Sequence, residues 1–406
     1  MDETTPSNMI KYIGKNKAYK PAHMDYANGV FDYGDWGDVW FIKNLRPCML
    51  NYNGTVAYNL DKDDYTKRAN GTASDVANVN FGGNAMVGIP TVWIKVDTTA
   101  PRKPKFYFAD HQVDSSYHAY AHHDDNGNIM PYTYMPAYNG WVDSSNRLRS
   151  LSGKELPAGN QMIDANWFTR AKNNNPSGFT GWDIEKFVDR QLINLLLLLI
   201  GRTTDGHEAF GWGNVNGNVV HADDSNSSGV LNTGTLNDKG MFYGYDTNTA
   251  PNKNKAVKVF GIENWWGNGY RTHMGMYFRD GVYYYKLTKG TEDGTTVNGF
   301  PSSIMSTTTV SGWKSVSAPT STGGITDMHI GEFGLIPKAV GGSSRDSKYK
   351  GICISTSATG DTRVVEFGGQ PSGGWGGMFS TTINLINGTN SDFRHNVAPS
   401  CKPNVS

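Results

Sequence analysis

Apolar positions along the chain fall into two kinds of run. The first is helical. In residues 182–201, WDIEKFVDRQLINLLLLLIG, the side chains Ile184, Phe187, Val188, Leu192, Leu195, Leu196 and Leu199 recur at three- and four-residue steps, the spacing that aligns them along one helix face. Thr180, with Asp183 three places on, predicts an N-cap with an acidic first turn, and Gly201 predicts a left-handed C-terminal cap. From Leu195 to Ile200 the segment is apolar on every side, so it must be covered all round. At roughly 1.5–3 kcal/mol per fully buried Leu or Ile, those six residues contribute on the order of 10 kcal/mol before conformational entropy opposes them. The apolar run is about nine residues, 192–200 with Asn194 inside it, well short of the roughly 20 that a membrane span requires. The pattern predicts one main buried helix at about 182–200, the pillar of a soluble core.

The second kind of run is short and extended. Val39-Trp-Phe-Ile42, Met49-Leu50, Thr55-Val-Ala-Tyr58, residues 85–90, residues 92–96 and Lys105-Phe-Tyr-Phe108 read as strands, with Asn53-Gly54 as a hairpin turn. Beyond the helix, Phe242-Tyr243, Val257-Lys-Val-Phe260, Met276-Tyr-Phe278, residues 282–287, 352–355 and 364–367 read likewise, while 235–238 and 302–324 read as loops or edges. Residues 110–180 read mostly as loop, with a short helix at about 166–172. The division that results is an irregular N-terminal arm or attachment segment at 1–35, a β-rich region at 36–110, and a larger α+β domain at 111–406.

Composition agrees with a β-rich chain of long loops. There are 48 Gly and 17 Pro, and aromatics reach 12% with 21 Tyr and 11 Trp, so glycine supplies unusual backbone angles and rings supply core area. Lys plus Arg equals Asp plus Glu, 37 each. That neutrality argues against a nucleic-acid partner, which would ask for a basic stripe, and suits a member of an assembly. Cys48, Cys353 and Cys401 lack any short spacing, which predicts buried free thiols. The polar N-terminus has no apolar signal core, so synthesis in a cytoplasm is expected.

Candidate chemistry is sparse. His118 and His122 stand at i,i+4 near His123, Asp124 and Asp125, but no Glu follows His118, so the zinc-protease pattern is absent. Backbone-bonded or solvated histidines are the favoured reading there, with a metal site as the alternative. Glu208, Glu263 and Glu366 are isolated acids suited to hydrogen bonding at turns and strand ends, and no nucleophile elbow or phosphate loop is present. The chain reads as non-enzymatic and without a cofactor. Trp375 and Phe393 offer stacking faces, and Asp392, Arg394 and His395 offer polar partners, on glycine-rich loops suited to binding.

At residues 259–281, VFGIENWWGNGYRTHMGMYFRDG, the Gly-Ile-Glu-Asn-x-Trp-Gly-Asn core followed by aromatics and an Asp-Gly turn resembles structural proteins of tailed bacteriophages that have a C-type-lectin-like fold. The variable proteins of diversity-generating retroelements share that fold, and formylglycine-generating enzymes do so more distantly. Asn51-Tyr-Asn-Gly-Thr-Val-Ala-Tyr58, Ala85-Met-Val-Gly-Ile-Pro90, Leu148-Arg-Ser-Leu-Ser-Gly-Lys-Glu-Leu-Pro157 and Phe367-Gly-Gly-Gln-Pro-Ser-Gly-Gly-Trp-Gly-Gly-Met-Phe379 follow the same order as in those phage proteins. The resemblance covers about residues 48–400. It implies a head or tail fibre or a capsid decoration protein, assembled in the host cytoplasm into the virion. The expected partners are other virion proteins and its own copies in a homotrimer, with neither nucleic acid nor membrane insertion. The terminal hairpin would then display a surface for host glycan or protein, which makes Gln370, Trp375, Asp392 and His395 candidate ligand contacts. Within the motif, Trp265 and Trp266 point to opposite faces if the segment is extended, which adds Trp266 as the indole nearer the surface. Two other readings follow from the same residues: a cement protein with no ligand, and a carbohydrate-active or formylglycine-type enzyme. Ser372 in Gln370-Pro-Ser372 removes a carboxylate that a calcium-dependent sugar cage would require, and the three cysteines supply no recognisable copper pair.

Overall fold

The computed structural model describes residues 10–12, 19–100, 104–124, 126–155, 166–215, 230–245, 256–287, 296–297, 300–301, 313–342, 349–354, 363–369, 376–385 and 395–403. Strands far outnumber helices among them, and the helices are α1 (Trp40–Lys43), α2 (Asn166–Lys172), α3 (Phe187–Gly201) and α4 (Gly206–Phe210). No helix among the described residues is long and apolar enough to cross a membrane.

Two large sheets share one hydrophobic core with α3. The first has six strands in the order Trp182–Ile184, Pro399–Cys401, Tyr132–Pro136, Gly83–Pro90, Arg46–Asn51 and Val56–Asn59. Every neighbouring pair in it is antiparallel. Its strands come from both sides of residue 110. The second sheet has nine strands. It runs from Lys314–Ser317 through Val282–Tyr285, Tyr270–Arg279, Arg363–Phe367, Thr381–Leu385 and Ile352–Ile354 to the hairpin Gly323–Gly331 and Gly334–Val340, with His395–Asn396 parallel beside Tyr270–Arg279. The sheet curls almost closed. Side chains bridge the remaining seam, His329 Nε2 lying 2.9 Å from the Ser317 carbonyl and Lys314 pairing with Glu332.

The pillar helix forms where its apolar spacing is strongest, and its ends differ from the expectation. Residues Trp182–Ile184 are a strand, because they pair in register with Pro399–Cys401. The helix starts after Lys186, whose N–H donates to the Asp189 carboxylate at 3.0 Å. Thr180 and Asp183 therefore do not cap it. At the other end Gly201 stays helical and Arg202 takes the left-handed conformation, with φ 52° and its N–H on Leu198 O at 3.0 Å. A Cβ on Gly201 would meet the Phe210 ring at 2.8 Å, so its lack of a side chain serves close packing against α4. Every residue from Leu192 to Ile200 is buried except the half-buried Leu198.

Two further readings change. Residues 39–42, expected to be extended, turn into α1 with Trp40, Phe41 and Ile42 buried; a short run that is apolar throughout does not distinguish helix from strand. Among the described residues between 110 and 180 there are three strands, of which Tyr132–Pro136 lies inside the first sheet. The helix expected at 166–172 is α2. All three cysteines are buried and unbridged. Of the N-terminal arm, His23–Asp25 and Val30–Asp32 form a hairpin on the body of the molecule, with the Phe31 ring stacked 4.4 Å from Phe242 and the Ala22 N–H on Ile200 O at 2.8 Å.

Candidate functional site

Residues 261–268, Gly-Ile-Glu-Asn-Trp-Trp-Gly-Asn, form an internal clasp. Phe260 (φ 50°) and Gly261 (φ 81°) make the two-residue turn between the paired strands Lys258–Val259 and Ile262–Glu263. The fully buried Glu263 carboxylate accepts the N–H groups of Gly234 at 2.8 Å and Leu236 at 2.9 Å. Burial pushes its pKa up, while the Lys258 charge opposes that shift. Lys258 donates to Leu236 O at 3.0 Å and lies 3.7 Å from the Tyr65 ring centre, and burial lowers its pKa to about 8. Asn268 accepts from Leu231 N at 2.6 Å and from Asn214 Nδ2 at 2.9 Å, and donates to Leu231 O at 3.0 Å. Trp265 Nε1 donates to Asn194 Oδ1 of α3 at 2.9 Å, and Gly267 N–H reaches Gly368 O at 3.0 Å. The Asn264 amide is buried with no hydrogen-bond partner among the described residues.

Both indoles of the motif are fully buried, contrary to the expectation that one lies nearer the surface. Trp266 donates to Gly211 O at 3.1 Å and offers no open face to a ligand. Gln370, Trp375 and Asp392 lie outside the described residues. Of His395 only the backbone is described; it pairs with Tyr270 in the second sheet.

Beside the clasp lies a buried charge cluster. Glu185 receives Arg271 Nε at 3.1 Å and Nη2 at 3.0 Å, and His273 Nε2 lies 3.9 Å from the same carboxylate. Burial pushes Glu185 up to about 7, with Arg271 pulling the other way, and burial beside Arg190 and Arg271 pushes His273 well down. Arg190 donates to the carbonyls of Trp265 at 2.6 Å and Met378 at 2.9 Å. Lys402 donates to Asp189 at 2.7 Å and to Ala121 O at 2.6 Å. Buried together, these groups hold backbone segments together, while Arg190 Nε and His273 Nε2 have no hydrogen-bond partner among the described residues.

The other chemistry-bearing side chains are dispersed. His122 Nε2 lies 3.2 Å from Ile89 O, His123 Nδ1 lies 3.1 Å from Gly127 O, and His118 stacks on Tyr120. Asp125 lies outside the described residues. Among the described residues, no three His, Cys, Asp or Glu side chains are grouped as metal ligands. Glu366 accepts the Thr272 hydroxyl at 2.9 Å inside the second sheet. Glu208 is exposed in the first turn of α4.

Among the described residues, two adjoining open clefts of about 460 and 510 Å³ share Asn44 and Tyr132. The Arg46 guanidinium lies 4.3 Å from the Tyr132 ring centre. Sequence reading missed this place because its lining comes from separate stretches near 38–47, 59–69, 90–91, 110 and 131–132. No protein-family model and no curated protein matches the chain.

Proposed function

We propose that this chain is a structural component of a tailed-bacteriophage particle, a head or tail fibre or decoration protein whose C-type-lectin-like domain displays a recognition surface. The observation that carries the reading is the meeting in space of the segments that bear the resemblance. The hairpin at 51–58 and the strand at 85–90 are neighbours in the first sheet. Ser150, from the third segment, exchanges hydrogen bonds with Ala85, N–H to O at 2.9 Å one way and Oγ to O at 2.7 Å the other. The clasp ties α3 to Gly368 of the terminal segment. Motifs scattered over more than 300 residues of sequence thus form one scaffold around one helix, as a shared fold requires.

In this reading the protein acts by binding and assembly: the buried charges hold the scaffold, and loops at its margin meet partners. Epitope-tagged chain in purified particles, located by antibody labelling under the electron microscope, is expected on the head or tail. Chain recovered only free in the lysate would overturn the virion assignment. Light scattering on the purified protein is expected to give three times the chain mass, 44.5 kDa per copy. Binding to host cells, lost in Trp375→Ala with the thermal melt unchanged, would distinguish an adhesin from a cement protein.

A further inference from the structure

We infer that the paired cleft around Tyr132 is a binding site for a short, uncharged oligosaccharide. The inference stands on the geometry of the first sheet and does not depend on the virion reading.

Each half of the cleft, about 460 and 510 Å³, has the size of a small-ligand site. Its walls are rigid. Pro47, Pro90 and Pro131 line it, and proline holds the backbone with a fixed φ. Thr91 is tied twice to the opposite wall, by its hydroxyl to Met130 O at 2.6 Å and by its N–H to Pro131 O at 3.1 Å. Trp40 Nε1 braces Thr91 O at 3.2 Å, and Lys62 Nζ reaches across to Lys43 O at 2.8 Å. A site held in this way loses little conformational freedom when a ligand arrives.

The lining chemistry selects the ligand class. Lys43, Arg46 and Lys62 are balanced by Asp38, Asp61 and Asp110, so the cleft has no net field to draw in a phosphate, a nucleic acid or a metal ion. Asn44 and Asn59 stand exposed among them and both donate and accept. Alternating cations, carboxylates and amides match the hydroxyls of a sugar, each of which donates once and accepts twice. Half-buried Tyr132, its ring pinned by Arg46, supplies an apolar body with a polar tip at the junction of the two halves. A peptide fits less well. It would look for an unpaired strand edge, and at the end of the strand that reaches the cleft the Asn59 carbonyl is taken by Ala69 N–H at 2.9 Å, followed by the Leu60–Arg68 bridge.

The test is a glycan array probed with the full chain, followed by titration calorimetry with the strongest uncharged oligosaccharide. Wild-type protein is expected to bind, with Tyr132→Ala and Arg46→Ala each at least tenfold weaker and the melt unchanged. Should Tyr132→Ala fail to fold, Asn59→Trp at an exposed position blocks the cleft and carries the same expectation. The inference is overturned if no uncharged glycan binds, if charged glycans or peptides bind in its place, or if binding survives the cleft variants.

Discussion

At the scale of single residues, the molecule concentrates its polar connections on one carbonyl and one indole. Met378 O accepts from both Arg190 Nη2 and Asn194 Nδ2, each at 2.9 Å, while Trp265 gives its N–H to Asn194 and its carbonyl to Arg190. Helix, clasp and terminal segment therefore meet at two side chains of α3. Asn194→Leu keeps the volume but orphans the Trp265 N–H, and a buried donor left unpaired costs about 1–3 kcal/mol. We expect a lower midpoint of chemical denaturation with an unchanged slope; a variant as stable as wild type would show that the network contributes nothing. Arg190→Lys should cost more than its conservative look suggests, because one ammonium cannot reach both carbonyls while stacking 4.4 Å from the Trp265 ring centre. Part of this was legible in sequence: the glycines of the motif announce unusual backbone angles, as found at Gly261 and Gly267. The burial of both indoles was not, because alternation to opposite faces presumes an extended segment, and Asn264, with φ 55°, breaks the extension just before Trp265.

At the scale of elements, α3 shows which features a local pattern can carry. Its apolar spacing is a property of the helix alone and was readable. Its start depends on Trp182–Ile184 pairing with Pro399–Cys401, a partner some 200 residues away that no local window contains. The hairpin Gly323–Gly331 and Gly334–Val340 escaped notice for a related reason: register shifts between Ile325, Asp327 and Met328 interrupt the two-residue alternation that marks a strand. The cleft draws on five separated stretches, so no motif could reveal it. Leu196→Ala, at a fully buried position, is expected to lose about 2–5 kcal/mol by chemical denaturation, the usual cost of such a cavity. Lys402→Met removes the buried cation that holds the C-terminal strand against α3 and leaves Asp189, itself fully buried, without it. A loss of about 3–5 kcal/mol is expected from stranding that charge. Adding Asp189→Asn should recover part of it, so additive losses in the double variant would disprove the coupling.

At the scale of the whole molecule, the buried histidines set how the fold responds to acid. Burial, reinforced by the Lys402 charge, pushes His122 down to about 3, and burial pushes His207 down to about 4 against the pull of Asp205. Both rings are therefore neutral in the folded protein at a pH where the unfolded chain, with histidine near 6.5, already binds protons. Between about 6.5 and these depressed values these two histidines bind more protons in the unfolded state than in the folded one, so their contribution to stability is complete above that window and declines as the pH falls through it. Denaturation midpoints measured from pH 7.5 to 4 should drop progressively below about 6.5. His122→Asn replaces the titrating ring with a neutral amide near Ile89 O, so its midpoint should fall less steeply over the same interval, even if its stability at pH 7.5 is lower. Parallel slopes for the two proteins would mean that His122 is not held neutral by its surroundings. The comparison isolates one group because Glu185, raised by burial to about 7, contributes with the opposite sign: its protonated form is favoured in the fold, so its contribution is present below the unfolded glutamate value and is lost as the pH rises toward 7. The two effects oppose each other between about pH 4.5 and 6.5, and only the difference between wild type and His122→Asn removes the Glu185 contribution common to both.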